Sequence, residues 1–418
     1  MFTLNLRNPL LIPISLLLIS SVQLACNSKS DAPTLSTTTV DSTAAMTSNI
    51  SKNLSTTCID DFKEGMDYFP EKISVKHAQN FNIEYHNYFK ILRIPEGTIP
   101  IYVLIQCGAP KPPLTGELKN ATVIQVPIKT LFTSSSAQIP ALVDIERIGV
   151  LTGHAQTSLV LAPSVIDRIS AGKVVSFAEN YEIDVETVIA SNPEIVLSGG
   201  FENPAYPALR NAGIIVVDYT DWLEETPLAR AEWPKVIAAL LNEEATAEEN
   251  FTQIEKQYNE IKSRAKSIPA KEWPTITTGL LYGDIFYAAG GSSYVAFLIQ
   301  DAGGLYVWKN NNSTGSLETD LETAIEVGGN ADIWINCSLY WPTLDAAKSE
   351  DARFAEFKSF KNGEVWNYSR ITNANGGFGY FERGVTRPDL ILADLMKIFH
   401  PNLSKKHDFE WYQKIPER

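Results

Sequence analysis

Short apolar runs that stop at Gly, Asn or Asp punctuate the chain. The runs 101–105, 122–126, 195–197, 214–217, 276–281 and 333–335 read as buried strands. Helical periods lie between several of them. Val185, Val188 and Ile189 repeat at three and four residues, and Asn192-Pro193 closes the pattern. Strands alternating with helices predict an α/β body with mostly parallel sheets.

The middle of the chain has a different period. Trp233, Val236, Ile237, Leu240 and Leu241 form one apolar face, which breaks at Asn242. Phe251, Ile254, Tyr258, Ile261 and Ala265 then continue at steps of three and four, mostly in register, until Pro269 and Pro274. This is about nine helical turns without a strand. One reading is a pair of surface helices on a single domain. The other is a helical spacer between two α/β lobes, and strand-like runs on both sides favour it. The expected organisation is a first lobe over 58–228, a helical linker over 229–268, and a second lobe with its tail over 269–418.

The N-terminus reads as an address. Arg7 is the only early charge, and 10–24 is apolar apart from Ser15, Ser20, Ser21 and Gln23. That pattern fits a secretory signal and is short for a spanning helix. It ends in Leu24-Ala25-Cys26, which resembles the lipobox of bacterial lipoproteins, although Gln23 stands where an aliphatic residue is usual. The resemblance implies removal of residues 1–25, lipidation of Cys26 and an extracytoplasmic, membrane-anchored protein; plain secretion is the alternative. The stretch 26–57 is rich in Ser and Thr and poor in large apolar groups, so it reads as a tether. Outside the cytoplasm Cys58 and Cys107 are candidates for a cross-link. Cys337 follows an apolar run and reads as a buried thiol.

Charge narrows the function classes. The 418 residues carry 35 Lys plus Arg against 49 Asp plus Glu, a formal charge of −14. Generic nucleic-acid binding needs a basic footprint, so that class is excluded. No phosphate-binding Gly-rich loop, Gly-x-Ser-x-Gly elbow or His-Glu-x-x-His helix is present. The five histidines show no metal-ligand spacing, with His154 alone in a loop that suits a cleft. The expectation is therefore a binding protein rather than an enzyme. A secreted α/β enzyme without a recognised motif is the rival of another class.

A repeat carries the functional argument. Asp184-Val185-Glu186-Thr187-Val188-Ile189 precedes the spacer, and Asp320-Leu321-Glu322-Thr323-Ala324-Ile325 follows it. Each aspartate is placed to cap a helix, and each glutamate then falls in the first turn, where the helix dipole favours a carboxylate. That accounts for either copy alone; two copies suggest a paired role.

With the stretches 184–197, 222–233, 313–317 and 382–401, this repeat makes 73–416 resemble the substrate-binding proteins of ABC importers, in the group handling ferric siderophores, haem and cobalamin. The resemblance implies two Rossmann-like α/β lobes joined by a long helix, with ligand in the cleft between them. It implies that Glu186 and Glu322 dock on arginines of an ABC permease. The protein would act as a monomer, without a resident cofactor or metal, and its cargo would be a small-molecule metal chelate. A ferric siderophore is the first expectation, cobalamin or haem the second. Aromatic and cationic residues after strand ends are the candidate cleft lining: Phe201, Tyr219 and Trp222 on the first lobe, and Tyr282, Tyr287, Tyr340, Trp341, Arg370 and Tyr380 on the second.

Overall fold

A computed structural model describes residues 50–201, 203–338 and 340–418. The expected signal segment, Cys26 and the tether up to residue 49 lie outside the described residues. Four strands come first: β1 (Asn82–Tyr85), β2 (Phe89–Arg93), β3 (Ile101–Gln106) and β4 (Thr122–Val126). They form one sheet in that order, antiparallel except for the β3–β4 pair. Next come β5 (Leu131–Thr133), β6 (Leu151–His154), β7 (Val175–Ser176), β8 (Ile195–Leu197) and β9 (Ile215–Val217). These are all parallel, in the order 7-6-5-8-9.

The second half contributes β10 (Thr275–Thr278), β11 (Leu280–Tyr282), β12 (Ile285–Ala289), β13 (Leu305–Tyr306), β14 (Ser316–Thr319), β15 (Ile333–Ile335), β16 (Val365–Asn367) and β17 (Gln413–Lys414). The order 13-10-15-16-17 makes a second sheet, parallel but for β17. β11, β12 and β14 form a small antiparallel sheet beside it. The protein is thus an α/β molecule of two lobes, each built on its own parallel sheet. β8 and β15 are buried along their whole length, as a strand covered on both faces must be, which is why their sequences are unbroken apolar runs.

One expected strand is two. The run 276–281 breaks at Gly279, whose φ of +123° no L side chain adopts easily. A Cβ there would stand 2.5 Å from the Phe286 ring. The chain therefore leaves the parallel sheet after β10 and turns into the β11–β12 hairpin.

The stretch 229–268 has two different tasks. The helix Pro234–Leu241 has no exposed face: every residue from Lys235 to Leu241 is buried, and Val236 to Leu241 belong to the first core. Asn242 ends it in the left-handed conformation, φ +58°. The long helix Glu244–Lys266 follows and serves both cores with one face. Ala247 packs in the first, while Tyr258, Ile261 and Ala265 pack in the second.

Buried carboxylates fasten the flanking segments to this frame. Glu232 accepts hydrogen bonds from the backbone N–H of Lys76, His77 and Ala78, at 2.8 to 2.9 Å. Glu224 takes those of Gln79 and Asn80 and the Trp233 indole N–H. Asp394 accepts from the backbone N–H of Glu410, Trp411 and Tyr412. Each carboxylate gives several otherwise orphaned backbone donors an acceptor. Cys58 and Cys107 form a disulfide, which ties the segment before β1 to the end of β3. Cys337 is a buried free thiol, its pKa pushed up to about 12 by burial.

Candidate functional site

In the order 7-6-5-8-9 the chain steps outward from β5 to β7 and then returns to the other side of β5. The carboxyl ends of β5 and β8 are the switch point, where open parallel sheets leave a crevice. The loops after β5, β6, β7 and β8 leave a cavity of about 270 Å³ there. Phe177, Tyr181, Phe201 and Tyr206 supply its aromatic walls, and Ser134, Gln156 and Asn203 its polar groups. Ser134 Oγ is buried beside the Tyr206 hydroxyl without a hydrogen bond of normal geometry.

Two features at the mouth are held by the backbone. Tyr181 has φ +65°, a rare and strained conformation for an aromatic residue, and is 80% exposed. Gly200 has φ +74°, and a Cβ there would come within 2.8 Å of Trp222 Nε1. Its bare backbone lets Phe201 and Trp222 stack at 4.6 Å and 13°.

The second lobe meets the first through the segment that follows the β6 loop. Leu161 N–H donates to Glu382 Oε2 at 2.8 Å, and Asn373 Nδ2 to Ser158 O at 3.0 Å. Arg383 pairs with Asp144 at 2.9 Å. Between the lobes Arg230 holds Asp221 at 2.8 Å and lies 5.5 Å from the centre of the Tyr294 ring, whose hydroxyl is buried without a partner. Glu179 orders the contacting loop by accepting from Thr157, Ser158 and Ser176. Desolvation is the largest single influence and opposes ionisation, but the hydrogen bonds together outweigh it and bring its pKa down to about 2.

The expected cleft residues divide. Phe201 lines the cavity and Trp222 flanks it. Tyr282, Tyr340 and Arg370 are exposed on the second lobe, and Tyr287 is half-buried in β12. Three are corrected. Tyr219 is 2% exposed and packs edge-on against Trp233. Trp341 is enclosed by Trp334 and Phe354, its N–H on Glu350. Tyr380 stacks on Tyr368 at 4.4 Å. Their faces are already covered, so no ligand reaches them. The expectation missed Ser134, Gln156, Asn203 and Tyr206, which stand in no motif, and the inter-lobe Arg230.

His154 ends β6 as a buried imidazole, Nδ1 at 2.8 Å from Thr133 Oγ1. Burial pushes its pKa down to about 4, although Glu179 and Thr133 favour the charged form. The folded protein therefore keeps it neutral, while the unfolded chain takes up a proton below about 6.5. The contribution to stability is complete above that pH and is lost as pH falls toward 4. Between pH 7 and pH 5 the loss is roughly 2 kcal/mol. Urea unfolding at both pH values should show it, and His154→Gln should flatten the difference; an unchanged difference would refute the assignment.

The repeated motif is two capped helices. Asp184 accepts from Thr187 N–H at 3.0 Å at the start of Val185–Ser191, and Asp320 from Thr323 N–H at 2.6 Å at the start of Leu321–Gly328. Glu186 and Glu322 are exposed in the first turns. Glu322 is engaged by Arg353 at 2.5 Å, and Arg353 also holds Asp351.

Among the described residues no helix is long and apolar enough to cross a membrane. A family model for periplasmic binding proteins matches residues 131–366. Two uncharacterized lipoproteins of Methanocaldococcus jannaschii are similar, one 26% identical over 71% of this chain and 70% of its own, the other 24% identical over 82% and 86%. Among solved structures, a possible iron-binding (periplasmic solute-binding) protein of Staphylococcus epidermidis superposes with a TM-score of 0.53 at 16% identity, covering 66% of this chain and 99% of its own. A periplasmic binding protein of Veillonella parvula gives 0.53 at 14% identity, covering 77% and 98%. These two share the fold.

Proposed function

The chain belongs to the periplasmic binding protein family, and from that premise we propose that it captures a metal chelate between its lobes and hands it to an ABC permease. A ferric siderophore is the first candidate cargo; cobalamin and haem are the second. The observation that carries the reading is the aromatic cavity at the β5–β8 switch point of the first lobe. Flat, polarisable walls suit conjugated chelators. The iron-binding description of the Staphylococcus epidermidis protein agrees with this cargo class. Binding rather than turnover is the proposed activity.

The exposed glutamates Glu186 and Glu322 serve as docking points, one per lobe. Their carboxylates steer and orient a basic partner while adding little affinity each, which suits a complex that must dissociate. Lipidation of Cys26 would hold the protein at the membrane, and the lipoprotein description of the archaeal relatives agrees with that.

Tryptophan fluorescence tests the cargo. Trp222 is half exposed at the cavity, so a ferric siderophore or a corrinoid should quench part of the emission saturably, and Trp222→Phe should remove that part. Absence of saturable quenching by siderophores, corrinoids and haemin alike would refute the reading.

A further inference from the structure

The charge of the walls says more about the cargo than their shape does. The described residues that line the cavity are all uncharged. Its polar groups are the amides of Gln156 and Asn203 and the hydroxyls of Ser134, Tyr181 and Tyr206. The Ser134 hydroxyl is buried without a good partner, so a ligand group has an unmet hydrogen bond to fill.

Carboxylates oppose two arginines of this region. Arg210 lies behind Tyr206, 5.9 Å from its ring centre, and faces Asp218 at 4.0 Å, its Nε and Nη2 buried without a hydrogen-bond partner. Arg230 is held by Asp221 at 2.8 Å. Placing a polyanion against this wall would desolvate its charge without an opposite charge to meet it, a costly arrangement. The formal charge of −14 adds a long-range repulsion of anions and attraction of cations. An anionic cargo would have to draw on Arg210 behind the wall or on Arg370, an exposed cation on the second lobe.

We propose that the cargo enters as a chelate without net negative charge, held by stacking on Tyr181 and Phe201 and by hydrogen bonds to Ser134, Gln156 and Asn203. This rests on the reading of the cleft as a chelate site. It selects cationic or neutral complexes, such as ferric trihydroxamates and amide-rich corrinoids, over tricatecholates and haem.

The test is a fluorescence titration of the purified protein with four probes: a cationic ferric trihydroxamate, cyanocobalamin, a trianionic ferric tricatecholate and haemin. At least one of the first two should bind at least tenfold tighter than either anionic probe. Gln156→Arg should shift that ratio toward the anions by tenfold or more at unchanged thermal stability. Tyr181→Gly should weaken the preferred probe about tenfold while the protein becomes no less stable, because glycine relieves the strained backbone. Preferential binding of the tricatecholate or haemin would overturn the inference and leave the chelate-binding function standing. An unmoved ratio in Gln156→Arg would overturn it too. Failure of all four probes would remove both.

Discussion

Replacing Lys90 by Met should cost the protein about 3–5 kcal/mol of stability, the range for breaking a fully buried ion pair from one side. Lys90 Nζ stands 2.5 Å from Glu244, 2.6 Å from Ala239 O and 2.8 Å from Asn242 Oδ1, and neither charged side chain is exposed to solvent. Phe69 covers the ammonium at 4.5 Å. Glu244 is the first residue of the long helix, and Asn53 Nδ2 donates to it at 2.7 Å. The cluster thus joins β2, the segment before β1 and the start of the inter-lobe helix. Without Lys90 the Glu244 carboxylate stays buried with only amide and phenol donors, and it must protonate or draw in water. Glu244→Gln should be destabilising for the mirror-image reason. Lys90→Met combined with Glu244→Leu should recover much of the loss, since an apolar pair of similar volume leaves no orphaned charge. Guanidinium unfolding at pH 7 measures all four proteins. A single-variant loss within the 0.5 kcal/mol typical of surface changes would remove the pair from any role in holding the fold.

Reversing the charge of both docking glutamates, Glu186→Lys with Glu322→Lys, should abolish delivery to the permease without altering cargo affinity. Both carboxylates are exposed on short capped helices, one in each lobe, and neither lines the cavity. Reversal turns attraction to a basic partner into repulsion worth several kcal/mol, so permease affinity should fall by about 100-fold or more. The two sites should not be equal. Glu322 is already paired with Arg353, whereas Glu186 is exposed beside its capping aspartate. Glu186→Lys alone should therefore cost more than Glu322→Lys alone. Added salt should weaken the native complex far more than the reversed one. Uptake into permease-bearing liposomes reads delivery, and fluorescence titration reads cargo affinity. Undiminished uptake by the double variant would end the docking assignment; loss of cargo affinity would show that the glutamates act on the cleft instead.

What could be read in advance had a local cause. The Asp-x-Glu-Thr motif caps a helix through atoms three residues apart, so both copies were visible without any tertiary information. β8 and β15 were legible because burial on both faces demands unbroken apolar runs. The long helix showed itself by the spacing of Tyr258, Ile261 and Ala265. β7, β13 and β17 were not visible, since two residues carry no period. Their extended form is imposed by a neighbour in the sheet. The helix Pro234–Leu241 looked like half of a spacer because its burial on every side is decided by what surrounds it.

Residue type and chain order thus determined an α/β body with paired acidic helix caps and a net negative charge, because each follows from near neighbours or from sums over the chain. Tertiary structure alone decided which aromatics face the cavity. Phe201 and Tyr219 are both aromatic rings after strand ends, yet one is 63% exposed and the other 2%. The difference is the proximity of Trp233, which comes from another helix and closes over Tyr219. The same holds for the uncharged wall: Gln156, Asn203 and Ser134 are unremarkable in three separate loops, and they become a site only where the order of the parallel strands brings those loops together.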